Sequence, residues 1–162
     1  MNRKIKSLTE LAPMIRQHQE RQEKVVTING CFDMLQLGHI YILYEAKKQG
    51  EFLAVGLNSD ASVKRLKGDD RPINNQATRS EIMAALEMVD YVFVFEEDDP
   101  RKFLSLLKPD VHVNDASYGL DCIEAEVLKT YGGRLYLVEK FNVPSTTQTI
   151  EKIKQTDNKG KK

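Results

Sequence analysis

A histidine set just behind a strand-ending turn is the strongest chemical signal in this chain. His39 follows Gly38, while Gly30-Cys31-Phe32-Asp33 lies a few residues upstream and Gln36 stands between them. Val25 to Ile28 is a β-branched run suited to a buried parallel strand, Asn29-Gly30 breaks it, and helical spacing resumes from Leu37. A strand that turns tightly into a helix presents backbone N–H groups where the helix dipole favours negative charge. Gly30 and Gly38 leave room for a phosphate to approach the backbone. His39, near the helix start, can face the same anion. The residue types describe a phosphate site with a catalytic imidazole.

A second cluster lies further on. Lys64, Arg65 and Lys67 fall within four positions, followed by Gly68 and Arg71-Pro72. Such a stretch is either a solvated charged loop or a mobile arm holding a phosphorylated acceptor. Ser145-Thr146-Thr147 precede a helical pattern, where hydroxyls and free N–H groups either cap the helix or bind phosphate. Other candidates have plainer readings. Cys31 is nucleophilic in type, but no His or Asn spacing supports it, which favours a small turn residue. Asp33 either orients a substrate or caps its turn. His18 is expected on the surface and His112 as a structural histidine in a short strand. The acidic run Glu96 to Asp99 reads as a solvated loop, with assistance to a metal as the sharper alternative.

These residues must be positioned by a fold, and its class is legible. Strands are expected at 24–28, 52–57, 91–95, 111–113 and 134–138. Helices are expected at 7–22, 37–49, 61–66, 78–88, 100–107, 122–131 and 146–154. Ser7 and Glu10 form a capping box at the first helix, where Pro13 either kinks the helix or moves its start later. Alternating strands and helices with short connections mean an α/β domain with a parallel sheet. Ligands of such folds bind beyond the carboxyl ends of the strands. Asn29, Asn58, Asn114 and Ser145 should therefore share one rim. Residues 1–154 read as a single domain, with 1–23 as a helical extension and 155–162 as a basic disordered tail.

Composition narrows the partners. The 162 residues carry 24 Lys plus Arg and 24 Asp plus Glu, so no global field draws the chain to nucleic acid or an anionic membrane. No apolar run approaches a membrane span, and no apolar signal-peptide core follows the N-terminus. The two cysteines, Cys31 and Cys122, make neither a zinc site nor a disulfide framework. A cytoplasmic protein is the expectation.

Gly30-Cys31-Phe32-Asp33 followed by Gly38-His39 resembles the signature of the cytidylyltransferase-like nucleotidyltransferases. Asn58 through Gly68, Arg71-Pro72, Arg79, Ala85-Leu86 and Val89-Asp90 are similar to the matching region of bacterial D-glycero-β-D-manno-heptose 1-phosphate adenylyltransferases. The resemblance spans roughly residues 24–153, and the chain has the size of the separate, single-activity form. It implies a three-layer Rossmann-like fold with a five-stranded parallel sheet and transfer of AMP from ATP to a heptose 1-phosphate. Pyrophosphate would be released and Mg2+ held through the nucleotide phosphates, with no metal site made of protein ligands.

By that resemblance, His39, Gln36 and Lys67 would be catalytic. Asn29, Gly30, Cys31, Phe32, Gly38, His39, Asn58, Asn114, Ser145, Thr146 and Thr147 would bind nucleotide, and Asp33, Lys64, Lys67, Arg71 and Arg79 the acceptor. The partners implied are small molecules and a second copy in a homodimer. Two positions depart from the family pattern. Gln36 stands where the family has the first His of His-x-Gly-His, and Asn114-Asp115-Ala116-Ser117-Tyr118 stands where heptose adenylyltransferases have Lys-Gly-Gly-Asp-Tyr. Both changes make the site less cationic. They keep open a cytidylyltransferase acting on glycerol 3-phosphate or a similar acceptor, and a catalytically weakened nucleotide-binding protein.

Overall fold

The computed structural model describes residues 3–139, 148–150 and 152–153. Helix α1 (Leu8–Glu20) precedes β1 (Val25–Gly30), α2 (Leu37–Lys47), β2 (Phe52–Asn58), α3 (Asp60–Lys67) and α4 (Gln76–Ala84). Then follow β3 (Tyr91–Phe95), α5 (Arg101–Leu107), β4 (Val111–Asp115), a 3-10 turn (Ala116–Tyr118), α6 (Ile123–Lys129) and β5 (Arg134–Val138). The five strands pair in parallel in the order β3-β2-β1-β4-β5.

Two apolar clusters make the three layers. On one face Leu43 and Ala46 of α2 and Met83 and Ala84 of α4 pack on Val26, Ile28, Leu53, Val55, Leu57 and Val92. On the other, Leu11 and Ile15 of α1 and Phe103, Leu104 and Leu107 of α5 pack on Val25, Ala54, Phe93 and Phe95. Strands covered on both faces must be apolar throughout, which is why β2 reads as one continuous run. Gly56 is the exception with a reason: a Cβ there would lie 2.8 Å from Cζ of the buried Phe93 ring.

Local signals account for most boundaries. The Ser7–Glu10 capping box is present, with Ser7 N donating to Glu10 Oε2 at 2.8 Å, and α1 runs through Pro13 without stopping. The helix expected at 78–88 begins earlier, at Gln76, because the Asn75 side chain accepts from Thr78 N at 2.9 Å and caps it. The N-terminal helical extension packs into the core, with Leu11 and Ile15 fully buried. Residues 4–6 continue this by running along the outer edge of β3, where Val92 N donates to Lys4 O and Lys6 N to Val92 O. The tail at 155–162 lies outside the described residues.

The order of the strands fixes where a ligand can sit. From β1 the chain builds outward to β2 and β3, then returns to place β4 on the other side of β1. The crevice at such a reversal opens above the carboxyl ends of β1 and β4. Ile28 is level with Val113, so Asn29 and Asn114 follow side by side on that rim.

Candidate active site

The end of β1 is strained. Phe32 adopts φ 44°, a left-handed conformation that costs a bulky residue about 1–3 kcal/mol. The conformation folds its ring back over Gly30, where a Cβ would meet Phe32 Cε2 at 3.0 Å. The same ring stands edge-on to His39, with centroids 5.6 Å apart. A Cβ at position 30 would thus crowd the Phe32 ring whether or not a phosphate approaches it.

His39 lies in the first turn of α2, and Nδ1 accepts the Gln36 backbone N–H at 3.1 Å. That bond puts the proton of the neutral ring on Nε2. Burial, and secondly the charge of Lys67, lowers the imidazole below its ordinary value. At neutral pH His39 is therefore an uncharged ring with an Nε2–H to donate. The Gln36 side chain donates from Nε2 to Thr149 Oγ1 at 2.7 Å. It ties the helical residues 148–150 to the start of α2, a link that spacing alone gave no reason to expect.

Across the crevice, α3 carries the cations. Arg65 is not available to a ligand: its Nε bonds both Asp98 oxygens at 2.9 and 3.1 Å, and Nη2 bonds Glu96 O. Lys64 and Lys67 are exposed. Arg71 is half-buried and gives Nη1 to Asp33 Oδ2 at 3.1 Å. Lys64, Arg65 and Lys67 thus sit on helix α3 rather than on a loop, and the cations of this stretch divide into exposed and tethered ones.

Several of the expected ligand residues have partners within the protein itself. Asp33 was expected to bind substrate or cap its turn. Its carboxylate instead accepts Ile73 N and Asn74 N, each at 2.8 Å, besides Arg71. Burial pushes that carboxyl up, yet the two N–H donors and the Arg71 guanidinium outweigh it and hold the group below its ordinary value. Arg79, expected on the acceptor side, is 1% exposed. Its guanidinium bonds the carbonyls of Asn74, Cys31 and Asn58 and the Asp60 carboxylate at 2.6–3.0 Å. Both charges are engaged mainly by backbone groups distant in sequence. Asn58 is likewise buried, its amide donating to Ser62 Oγ at 3.0 Å inside α3.

On the β4 side, Asn114 Oδ1 accepts Asp115 N at 3.0 Å and Asp115 Oδ1 accepts Ser117 N at 2.9 Å. Here local hydrogen bonds shape the turn that two glycines shape in the family pattern. Ser145, Thr146 and Thr147 lie outside the described residues. The acidic run is paired with basic neighbours: Glu97 with Lys102, Asp98 with Arg65 and Asp99 with Arg101. His18 corrects another expectation. It packs on Phe52 at 3.5 Å between centroids and bonds Glu23 and Tyr91. His112 is structural as expected, fully buried with Nδ1 at 2.8 Å from Thr27 Oγ1. Asn74 was missed altogether. It gives Nδ2 to Asp33 O at 2.7 Å and its carbonyl to Arg79, with only its place in a Pro-Ile-Asn-Asn turn as a hint.

A five-stranded parallel sheet with helices on both faces and a glycine turn leading to an N-terminal helix histidine defines a Rossmann-like α/β domain of nucleotidyltransferase type. The chain belongs to the cytidylyltransferase-like family, whose model matches residues 27–158. It is 46% identical over 151 residues to the bifunctional protein HldE of Geobacter metallireducens, covering 93% of this chain and 31% of that protein. The HldE of Campylobacter concisus is 43% identical over 160 residues, 98% of this chain and 33% of its own. The chain thus spans about a third of the length of these curated relatives. A solved lipopolysaccharide core biosynthesis protein from Thermoplasma volcanium is 30% identical, with TM-score 0.60 over 75% of this chain and 99% of its own. Pantoate-beta-alanine ligase from Francisella tularensis shares the fold, with TM-score 0.61 at 15% identity over 86% and 68% of the two chains.

Proposed function

We propose that this domain transfers AMP from ATP to a heptose 1-phosphate. An oxygen of the sugar phosphate attacks the α-phosphorus, the bridging bond to the β-phosphorus breaks, and pyrophosphate leaves. The observation that carries the reading is His39 in the first turn of α2, directly behind the turn that ends the central strand, with Nδ1 held by the Gln36 N–H at 3.1 Å and Nε2 left to donate. Catalysis of this kind is positioning plus donors aimed at developing charge, without a covalent intermediate. His39 Nε2–H donates to a phosphate oxygen. Lys64, Lys67 and Arg71 hold acceptor or leaving phosphates. Asn29, the Gly30–Phe32 turn and Gly38 bring backbone N–H groups close, and Asn114 with Ser145, Thr146 and Thr147 lines the nucleotide side.

Among the described residues no three His, Cys, Asp or Glu side chains converge on a metal position. A Mg2+ brought in with the triphosphate would neutralise charge on the phosphates. The similarity to HldE supports the heptose acceptor, and the similarity to a lipopolysaccharide core biosynthesis protein from Thermoplasma volcanium is consistent with it. Among the described residues no helix is long and apolar enough to cross a membrane. Work in the cytoplasm, where ATP and sugar phosphates occur together, and assembly as a homodimer belong to the same proposal.

The test is pyrophosphate release by the purified protein with Mg2+, for ATP and CTP, each with heptose 1-phosphate or glycerol 3-phosphate. Release with ATP and heptose 1-phosphate, lowered about 10²–10³-fold by His39→Ala, is expected. Release with CTP and glycerol 3-phosphate instead, or from no pair while ATP still binds, overturns it.

A further inference from the structure

Resting on the transferase reading, we propose that Arg79 is a positioning residue, one guanidinium that fixes the cation-bearing helix α3 against the phosphate turn. Its four partners come from separate parts of the site. Cys31 O directly follows β1, Asn58 O ends β2, Asp60 opens α3, and Asn74 O belongs to the loop held by Asp33. The Cys31 and Asn58 carbonyls lie at the carboxyl end of the sheet.

Stability alone gives a weak reason for this arrangement. A buried guanidinium carries a large desolvation cost, and apolar side chains of similar volume often serve a core as well. Arg79 is nevertheless 1% exposed, and its one carboxylate partner, Asp60, has a side chain 33% exposed. A planar fork, however, holds several acceptors at fixed mutual angles, which neither Lys nor an apolar residue does. What it fixes is the spacing between His39, reached through the Cys31–Asp33 turn, and Lys67 at the far end of α3.

His39 reports that spacing without any turnover. It is faced by Lys67 from α3, by the Gln36 N–H from its own helix and by the Phe32 ring. The experiment is an NMR titration of His39 in the wild-type chain, Arg79→Lys and Lys67→Met, beside steady-state kinetics and thermal unfolding. In Arg79→Lys the His39 midpoint should move upward, in the direction given by Lys67→Met. Its kcat should fall about 10²-fold, as for a displacement near 1 Å, with KM for ATP held within about threefold.

An unmoved His39 midpoint in folded Arg79→Lys overturns the proposal and leaves Arg79 a purely structural residue. A raised KM for the sugar phosphate with kcat preserved also overturns it, in favour of direct contact. If Arg79→Lys does not fold, Asp60→Asn decides. It keeps the guanidinium and its three carbonyls while cutting the ion pair to α3, and should shift His39 the same way by less. No shift there refutes the idea. Absence of wild-type turnover would sink the transferase reading alone, since the titration still reports the geometry.

Discussion

Acidification should weaken this fold through one residue, His112. Its ring is fully buried beside Phe103, with Nδ1 on Thr27 Oγ1, and burial holds it down at about 3 against an ordinary 6.5. The unfolded chain takes up its proton near pH 6.5 and the folded chain only near 3, so in that window the unfolded state binds more protons. Stability therefore rises with pH there: it is fully present above 6.5 and lost progressively as pH falls toward 3. One such proton is worth about 1.4 kcal/mol per pH unit, so moving from neutral pH to 4.5 should remove roughly 2.7 kcal/mol. That is a large share of the about 5–15 kcal/mol that holds most domains together. The assay is urea unfolding from pH 7.5 to 4.5 for the wild type and His112→Asn, whose amide can still meet Thr27 but takes no proton. Carboxylates and other histidines titrate in both chains, so the difference isolates His112. Two parallel stability profiles would refute the reasoning.

Four other outcomes are expected. His39→Ala should lower pyrophosphate release by about 10²–10³, the cost typical of one lost preorganised donor, with the circular dichroism spectrum unchanged. Gln36→His should raise kcat by about tenfold or more by restoring a donor able to carry charge, and an unchanged kcat would show the amide already suffices. Gly56→Ala should cost about 1–3 kcal/mol in thermal unfolding, because its Cβ runs into the packed Phe93 ring. Asp33→Ala should speed hydrogen exchange at the Ile73 and Asn74 amides specifically, since both donate to that carboxylate.

Much of this molecule is local in origin and so was legible. Apolar runs of strand length, the Ser7–Glu10 box and the glycine turn before His39 each act over a few residues, and each gave its element. What stayed hidden is set by distant pairing. Arg79 looks like any cation in sequence, yet its fate is decided by Cys31, 48 positions away, and Asp33 by Asn74, 41 away. Arg65 and Lys67 sit two apart on α3, and only the fold shows Asp98 claiming the first while the second remains exposed. His18 fails for the same reason, since the Phe52 ring it stacks on arrives with the second strand.

The central place of β1 bears on how the site comes apart. Its backbone is bonded on both sides, to β2 and β4, so its amides open only when the sheet itself gives way. The segment at 68–75, by contrast, is joined to the turn by side chains from Asp33, Asn74 and Arg79. Subglobal opening can release that segment while the sheet stays closed. The domain therefore pairs an anvil with a clasp: the half built on the end of β1 should survive partial unfolding, and the half that carries Arg71 should not. A ligand bridging the two would draw most of its stabilising effect from the clasp, and its presence should be read there first, in the exchange of Ile73 and Asn74.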